Sequence, residues 1–186
     1  MIEISKFIIV EKIFDKYECE KILNSKSDFV ESSNNQRDDK FFTIPNQQDY
    51  TFGHTNYPAW LLENTEENKW CFDKLEDYIE KINDEFFQFK NDGLWNSYIK
   101  QYEEGESCSW HFDDMSRGKR LGISLMLKKP IKGGEFEIFN GEKVSIDVKV
   151  GEIVIFPTFI FHKVNPIIKG KRLTLITWMY SDSINF

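Results

Sequence analysis

After Gly93 the apolar residues of this chain stop recurring every third or fourth position and begin to recur every second one, and that switch limits the fold more than any other feature. Leu121, Ile123, Leu125 and Leu127 alternate with Gly122, Ser124 and Met126, and Val144, Ile146, Val148 and Val150 alternate with Ser145, Asp147 and Lys149. Side chains two apart leave an extended backbone on the same side, so these segments read as antiparallel strands with two distinct faces. Turn signals fall between them at Pro130 to Gly134, Asn140-Gly141 and Lys169-Gly170, with Asn140-Gly141 the clearest hairpin. The spacing predicts about seven or eight short strands between Tyr98 and Tyr180, the pattern of a jelly roll or similar double sheet.

The first half follows other periods. Phe7 to Val10 is a short apolar strand, and Asp15-Lys-Tyr-Glu18 has the form of a capping box that opens a helix through about Leu23. Residues 24–57 are rich in Asn, Gln, Ser and Asp, with Phe41 to Ile44 as one strand among loops. From Glu66 to Phe89 a single stripe of Leu75, Ile79, Ile82, Phe86 and Phe89 predicts one long helix, stopped by Asn91-Asp92-Gly93. The expectation is an α+β chain with helices packed on one sheet. It forms one domain over 1–186, with a mixed part at 1–93 and a β core at 94–182; no linker or repeat argues for a second.

A formal charge of −7, with lysines and arginines scattered among acids, disfavours a nucleic-acid partner. Glu3 and Lys6 interrupt what a secretory signal would need, and the apolar runs are too short to span a bilayer, so no membrane partner and a cytoplasmic location are expected. Cys19, Cys71 and Cys108 lack a C-x-x-C pair and read as free thiols.

Four polar residues stand out in the β half: His111 and Asp113, which leave the same side of an extended segment, then His162 after the strand Glu152 to Phe156, then Arg172. Two imidazoles and one carboxylate suit a mononuclear Fe(II) site with positions left open for a chelating co-substrate and O2, whereas structural zinc would want four ligands, usually thiolates. Arg172, Thr174, Ile176 and Trp178 share one strand face, from which the guanidinium can pair with a carboxylate and the Thr174 hydroxyl can add a hydrogen bond. Tyr102, on a face with Tyr98 and Lys100, can donate to the same anion. His54 lacks a partner in sequence and reads as a loop residue, Cys108 as a small hydrophobe, and Gly133-Gly134 as a turn needing positive φ.

From about Tyr98 to Tyr180 the chain resembles the 2-oxoglutarate and Fe(II)-dependent dioxygenases, in particular the prolyl 4-hydroxylase-like and PKHD-type hydroxylases. The matching pieces are Tyr102-Glu-Glu-Gly105, Trp110-His-Phe-Asp113, Gly133-Gly-Glu-Phe136, Val150-Gly-Glu-Ile-Val-Ile-Phe-Pro157, His162-Lys-Val-Asn-Pro166 and Gly170-Lys-Arg172. The resemblance implies a double-stranded β-helix, cupin-like core and iron ligation by His111, Asp113 and His162. It also implies a salt bridge from Arg172 to the distal carboxylate of 2-oxoglutarate, with Tyr102 on that carboxylate and Thr174 as a compensating contact where relatives carry a tyrosine and this chain has Met126. The implied reaction hydroxylates a C–H while 2-oxoglutarate and O2 become succinate and CO2, with ascorbate as an accessory reductant and no catalytic side chain beyond the metal ligands. The resemblance favours a prolyl residue of a peptide as substrate, with a closing segment within 24–57. A free amino acid or small metabolite would use the same site, and a non-catalytic cupin-like metal-binding module would lack the Arg172 role.

Overall fold

The computed structural model describes residues 2–5, 7–26, 29–30, 59–94, 97–113 and 118–181. Strand β1 (Ile2–Ser5) pairs antiparallel with β2 (Ile8–Lys12), and Asp15 then caps α1 (Lys16–Asn24). The Asp15 carboxylate accepts from the Glu18 N–H and the Glu18 carboxylate from the Asp15 N–H, both at 2.8 Å, so the expected capping box is present in full. Strands β3 (Phe29–Val30) and β4 (Ala59–Leu62) follow. Residues 31–58, with Phe41 to Ile44, His54 and most of the expected closing segment, lie outside the described residues.

Helix α2 (Lys69–Ile82) buries Cys71, Phe72, Leu75, Ile79 and Ile82, but the predicted helix to Phe89 stops sooner. It widens into a π-helical turn at Asn83–Phe87 and ends at Gln88, whose φ is 56°. The cause is Asn83, a buried amide that accepts from the Phe89 N–H at 3.0 Å and donates to the Phe89 carbonyl at 2.7 Å. Those bonds replace the helical ladder, as side-chain amides do at helix ends. Phe89 still reaches the core, stacked on Phe87.

Ten strands follow: β5 (Ser97–Tyr102), β6 (Cys108–His111), β7 (Lys119–Lys128), β8 (Lys132–Gly133), β9 (Phe136–Phe139), β10 (Lys143–Ile146), β11 (Glu152–Pro157), β12 (Phe161–Val164), β13 (Ile167–Lys169) and β14 (Arg172–Tyr180). Eight strands form one sheet in the order β1-β2-β11-β7-β14-β5-β4-β3; four form a second in the order β10-β9-β12-β6; β13 and β8 pair with each other. The excess over seven or eight comes largely from β8 and β13, two and three residues long. The β9–β10 hairpin turns at Asn140-Gly141 as read. The alternation from Val144 to Val150 is not one strand, since pairing ends at Ile146 and the Glu152 carboxylate accepts from the Lys149 N–H in a turn.

The two faces of β7 are both buried. Leu121, Ile123, Leu125 and Leu127 pack with Ile153, Ile155, Leu173 and Leu175 under Leu75, Ile79 and Ile82, so the helices cover one side of the large sheet. Met126, Val154 and Phe156 face Phe136, Ile138 and Val164 of the small sheet across the interior. This is the double-stranded β-helix, with the helices on its large sheet. Among the described residues no helix is long and apolar enough to cross a membrane, and the three cysteines are free thiols.

Leu75 is wholly buried between α2 and the sheet, so Leu75→Ala is expected to cost about 2–5 kcal/mol in urea unfolding. The exposed Tyr17→Ala should stay within about 0.5 kcal/mol. Equal midpoints would show that the helix-side core does not hold the sheet.

Candidate metal and anion site

Strands β6 and β12 are antiparallel neighbours whose register sets His162 directly opposite His111. Their rings lie 4.2 Å apart, centroid to centroid. His162 follows the strand Glu152–Pro157 as read; the chain reverses after β11, with the Ile160 N–H donating to the Pro157 carbonyl, and His162 sits within a strand of its own. Asp113 follows β6, held by its N–H donating to the Thr158 carbonyl at 3.0 Å. Phe112 turns the other way, exposed against Phe161. One ligand atom each from His111, Asp113 and His162 falls within 4.8 Å of the others, a grouping that could hold a metal ion.

Both imidazoles are oriented through Nδ1. His111 Nδ1 lies 2.8 Å from the Ser109 carbonyl and His162 Nδ1 lies 2.9 Å from the Ile160 carbonyl, which leaves each Nε2 as the ring nitrogen available to a metal. His162 is buried against Phe156 and Phe136. That burial, then the charge of His111, pushes its pKa down to about 4, so it is the neutral imidazole that a metal requires. Burial also opposes charge at His111, but the Cys108 sulfur 3.6 Å from Nδ1, the Asp113 carboxylate and the Ser109 carbonyl outweigh it and raise its pKa to about 9. Cys108 is thus a neighbour of the site and more than an apolar filler.

Arg172 opens β14 and is 2% exposed, a buried cation directly opposite Tyr102 of β5. Its Nη1 donates to the Gly134 carbonyl at 2.9 Å, and its Nε has no hydrogen-bond partner among the described residues. Among the described residues no carboxylate pairs with it. Burial lowers its pKa to about 10, against the opposing influence of Tyr102, Cys108 and Glu135. Gly134 has φ 73°, and a Cβ there would stand 2.6 Å from Ile167 Cδ1, so the carbonyl that Arg172 uses depends on a glycine. Thr174, buried, lies opposite Lys100 of β5 and Met126 of β7, on the inward face with Arg172. Met126 belongs to the apolar interior cluster, so that position offers no hydroxyl.

The sequence placed Trp178 on the Arg172 face without giving it a role; its Nε1 donates to Asp113 Oδ2 at 2.8 Å. The signal was its even spacing from Arg172, but only the fold shows which partner that face meets. Gly122 was likewise read as strand alternation alone. A Cβ there would stand 2.8 Å from the Phe156 ring and 3.1 Å from Asp113 Oδ2.

Residues 97–180, β5 through β14, match the family model of the 2OG-Fe(II) oxygenase superfamily. A PKHD-type hydroxylase of Idiomarina loihiensis is 37% identical over 90 residues, 45% of this chain and 41% of the relative. The chain thus spans about two fifths of the length of the curated relatives it matches. Among solved structures, a prolyl hydroxylase from Trichoplax adhaerens in complex with a hypoxia inducible factor peptide fragment superposes with a TM-score of 0.72 at 13% identity, covering 96% of this chain and 85% of that one. A viral collagen prolyl hydroxylase from Paramecium Bursaria Chlorella virus-1 gives a TM-score of 0.69 at 17% identity, covering 95% and 97%. At these identities the structures share the fold.

A metal can take the His111 lone pair only after a proton leaves. Below pH about 9, affinity for Co(II) is therefore expected to rise about tenfold per pH unit, while His162, already neutral, contributes nothing there. Titrations from pH 6.5 to 8.5 check this, and a flat profile would contradict it.

Proposed function

We propose, on the match of residues 97–180 to the 2OG-Fe(II) oxygenase superfamily model, that this chain is an Fe(II)- and 2-oxoglutarate-dependent hydroxylase acting on a prolyl residue of a peptide. The observation that carries this is an interior surface holding the His111, Asp113 and His162 cluster and a buried arginine that pairs with no carboxylate among the described residues.

The residues fit both groups. Two imidazole Nε2 atoms and a carboxylate suit Fe(II) and leave positions open, whereas a closed structural site would have four protein ligands. That donor set supports reading His111, Asp113 and His162 as the iron ligands. Arg172, whose buried Nε lacks a partner, offers a charged fork for the distal carboxylate of 2-oxoglutarate, with Tyr102 and Thr174 on the same face to add hydroxyl contacts. When bound, Fe(II) and 2-oxoglutarate supply the oxidation, in which O2 converts the keto acid to succinate and CO2 and hydroxylates a substrate C–H.

This chain's own part is orientation and exclusion of water. The carbonyls of Ser109 and Ile160 fix the imidazole tautomers, and the apolar wall of Met126, Phe136 and Phe156 keeps the interior dry. No side chain needs to act as a general base. The peptide as substrate is supported by the peptide complex of the Trichoplax adhaerens neighbour. We read 1–186 as one oxygenase domain, since β1 to β4 lie in the same sheet as β5, β7, β11 and β14.

The test is anaerobic addition of Fe(II) and then 2-oxoglutarate, read by the visible charge-transfer band of a chelated keto acid. Arg172→Ala should weaken 2-oxoglutarate binding by about 2–5 kcal/mol, roughly 30-fold or more, with the metal still bound. Asp113→Ala should abolish turnover while the fold persists. Wild-type protein given prolyl peptides should add one oxygen atom by mass spectrometry. Full turnover in Asp113→Ala would sink the ligand assignment, and metal binding without the band would leave a metal-binding module.

A further inference from the structure

Asp113 has two carboxylate oxygens, and the fold treats them differently. Oδ2 accepts the indole N–H of Trp178 at 2.8 Å, while Oδ1 lies 4.0 Å from His111 Nε2, on the side of the metal-binding cluster. The geometry points to Trp178 as a positioning residue that reserves Oδ2 and leaves Oδ1 as the single metal ligand of Asp113. This rests on the reading of Asp113 as a ligand and adds to it the mode in which it binds.

Three features meet at the same oxygen. Trp178 lies opposite Gly122 in the β14–β7 register, and Gly122 lies opposite Phe156 in the β7–β11 register, so the indole and the carboxylate come together over the one position of β7 without a side chain. Any Cβ at Gly122 would press on Oδ2 at 3.1 Å and on the Phe156 ring at 2.8 Å. On the indole, Lys119 Nζ stands 3.5 Å from the ring centroid, and a cation there draws electron density from the ring and strengthens its N–H as a donor.

The consequence is chemical. A carboxylate that binds through both oxygens takes a coordination position that a keto acid or O2 would use, and one whose second oxygen is hydrogen-bonded disfavours that mode. Hydrogen-bonded partners of this kind typically change metal affinity by about 10–100-fold when removed.

The experiment replaces Trp178 with 3-benzothienylalanine, an isostere that keeps the ring and loses the N–H, beside Trp178→Phe. Each full-length protein is loaded with Co(II) alone, and affinity and visible d–d absorption are read. Thermal unfolding of the metal-free proteins is recorded in parallel. The expected result is binding about 10–100-fold weaker in both variants and a changed d–d envelope, with the isostere unfolding as wild type does. If the isostere matches wild type in affinity and spectrum, Trp178 is packing only and the inference is overturned, whatever Trp178→Phe does to stability. If wild-type protein fails to bind Co(II), the metal-site reading itself falls and takes the inference with it.

Discussion

The register of β14 is the constraint on which the site depends. This nine-residue strand runs between β5 and β7, and its alternation sends Leu173, Leu175 and Met179 to the helix side and Arg172, Thr174, Ile176 and Trp178 to the interior. A slip of one residue would exchange the faces, placing a guanidinium in the apolar layer under α2 and leucines where the anion and the Asp113 oxygen must be met. The leucine and isoleucine layer therefore specifies more than stability. By fixing which way each β14 side chain points, it sets Arg172 at one end of the interior face and Trp178, bonded to Asp113, at the other.

The interior carries unfavourable electrostatics that the surrounding layers must hold in place. Two imidazoles lie 4.2 Å apart among phenylalanines, and an arginine sits 2% exposed with no carboxylate paired to it among the described residues. Both His162 and Arg172 have pKa values depressed chiefly by burial. Groups arranged in this way are costly to an empty fold and suited to a cation and a dicarboxylate that would complete them.

Local chemistry was readable in the sequence where a recognised motif or a regular period carries it. The Asp15 and Glu18 capping box, the Asn140-Gly141 hairpin and the period of two in β7 each follow from residues within a few positions. What escaped is of two kinds. The burial of both β7 faces requires the distant small sheet, whereas the early end of α2 and the break between Val144 and Val150 come from local bonds, the Asn83 amide on Phe89 and the Glu152 carboxylate on the Lys149 N–H, that override the apolar period. The even spacing of Arg172 to Trp178 was visible. That Trp178 meets Asp113 was not, because the contact joins residues 65 positions apart.

The site residues follow the same division. His111 and Asp113 could be paired from spacing alone, since two residues apart on an extended segment is a local fact. Bringing His162 to them takes a reversal after β11 and a cross-strand register, neither of which is written in the residues near it. The hydrogen bonds that aim the ligands come from backbone carbonyls at Ser109 and Ile160, positions where any residue type would serve as acceptor. Sequence motifs thus mark which atoms can bind, while the aim of those atoms is carried by backbone geometry. A variant could keep every motif residue and still lose the site if the β6–β12 register shifted.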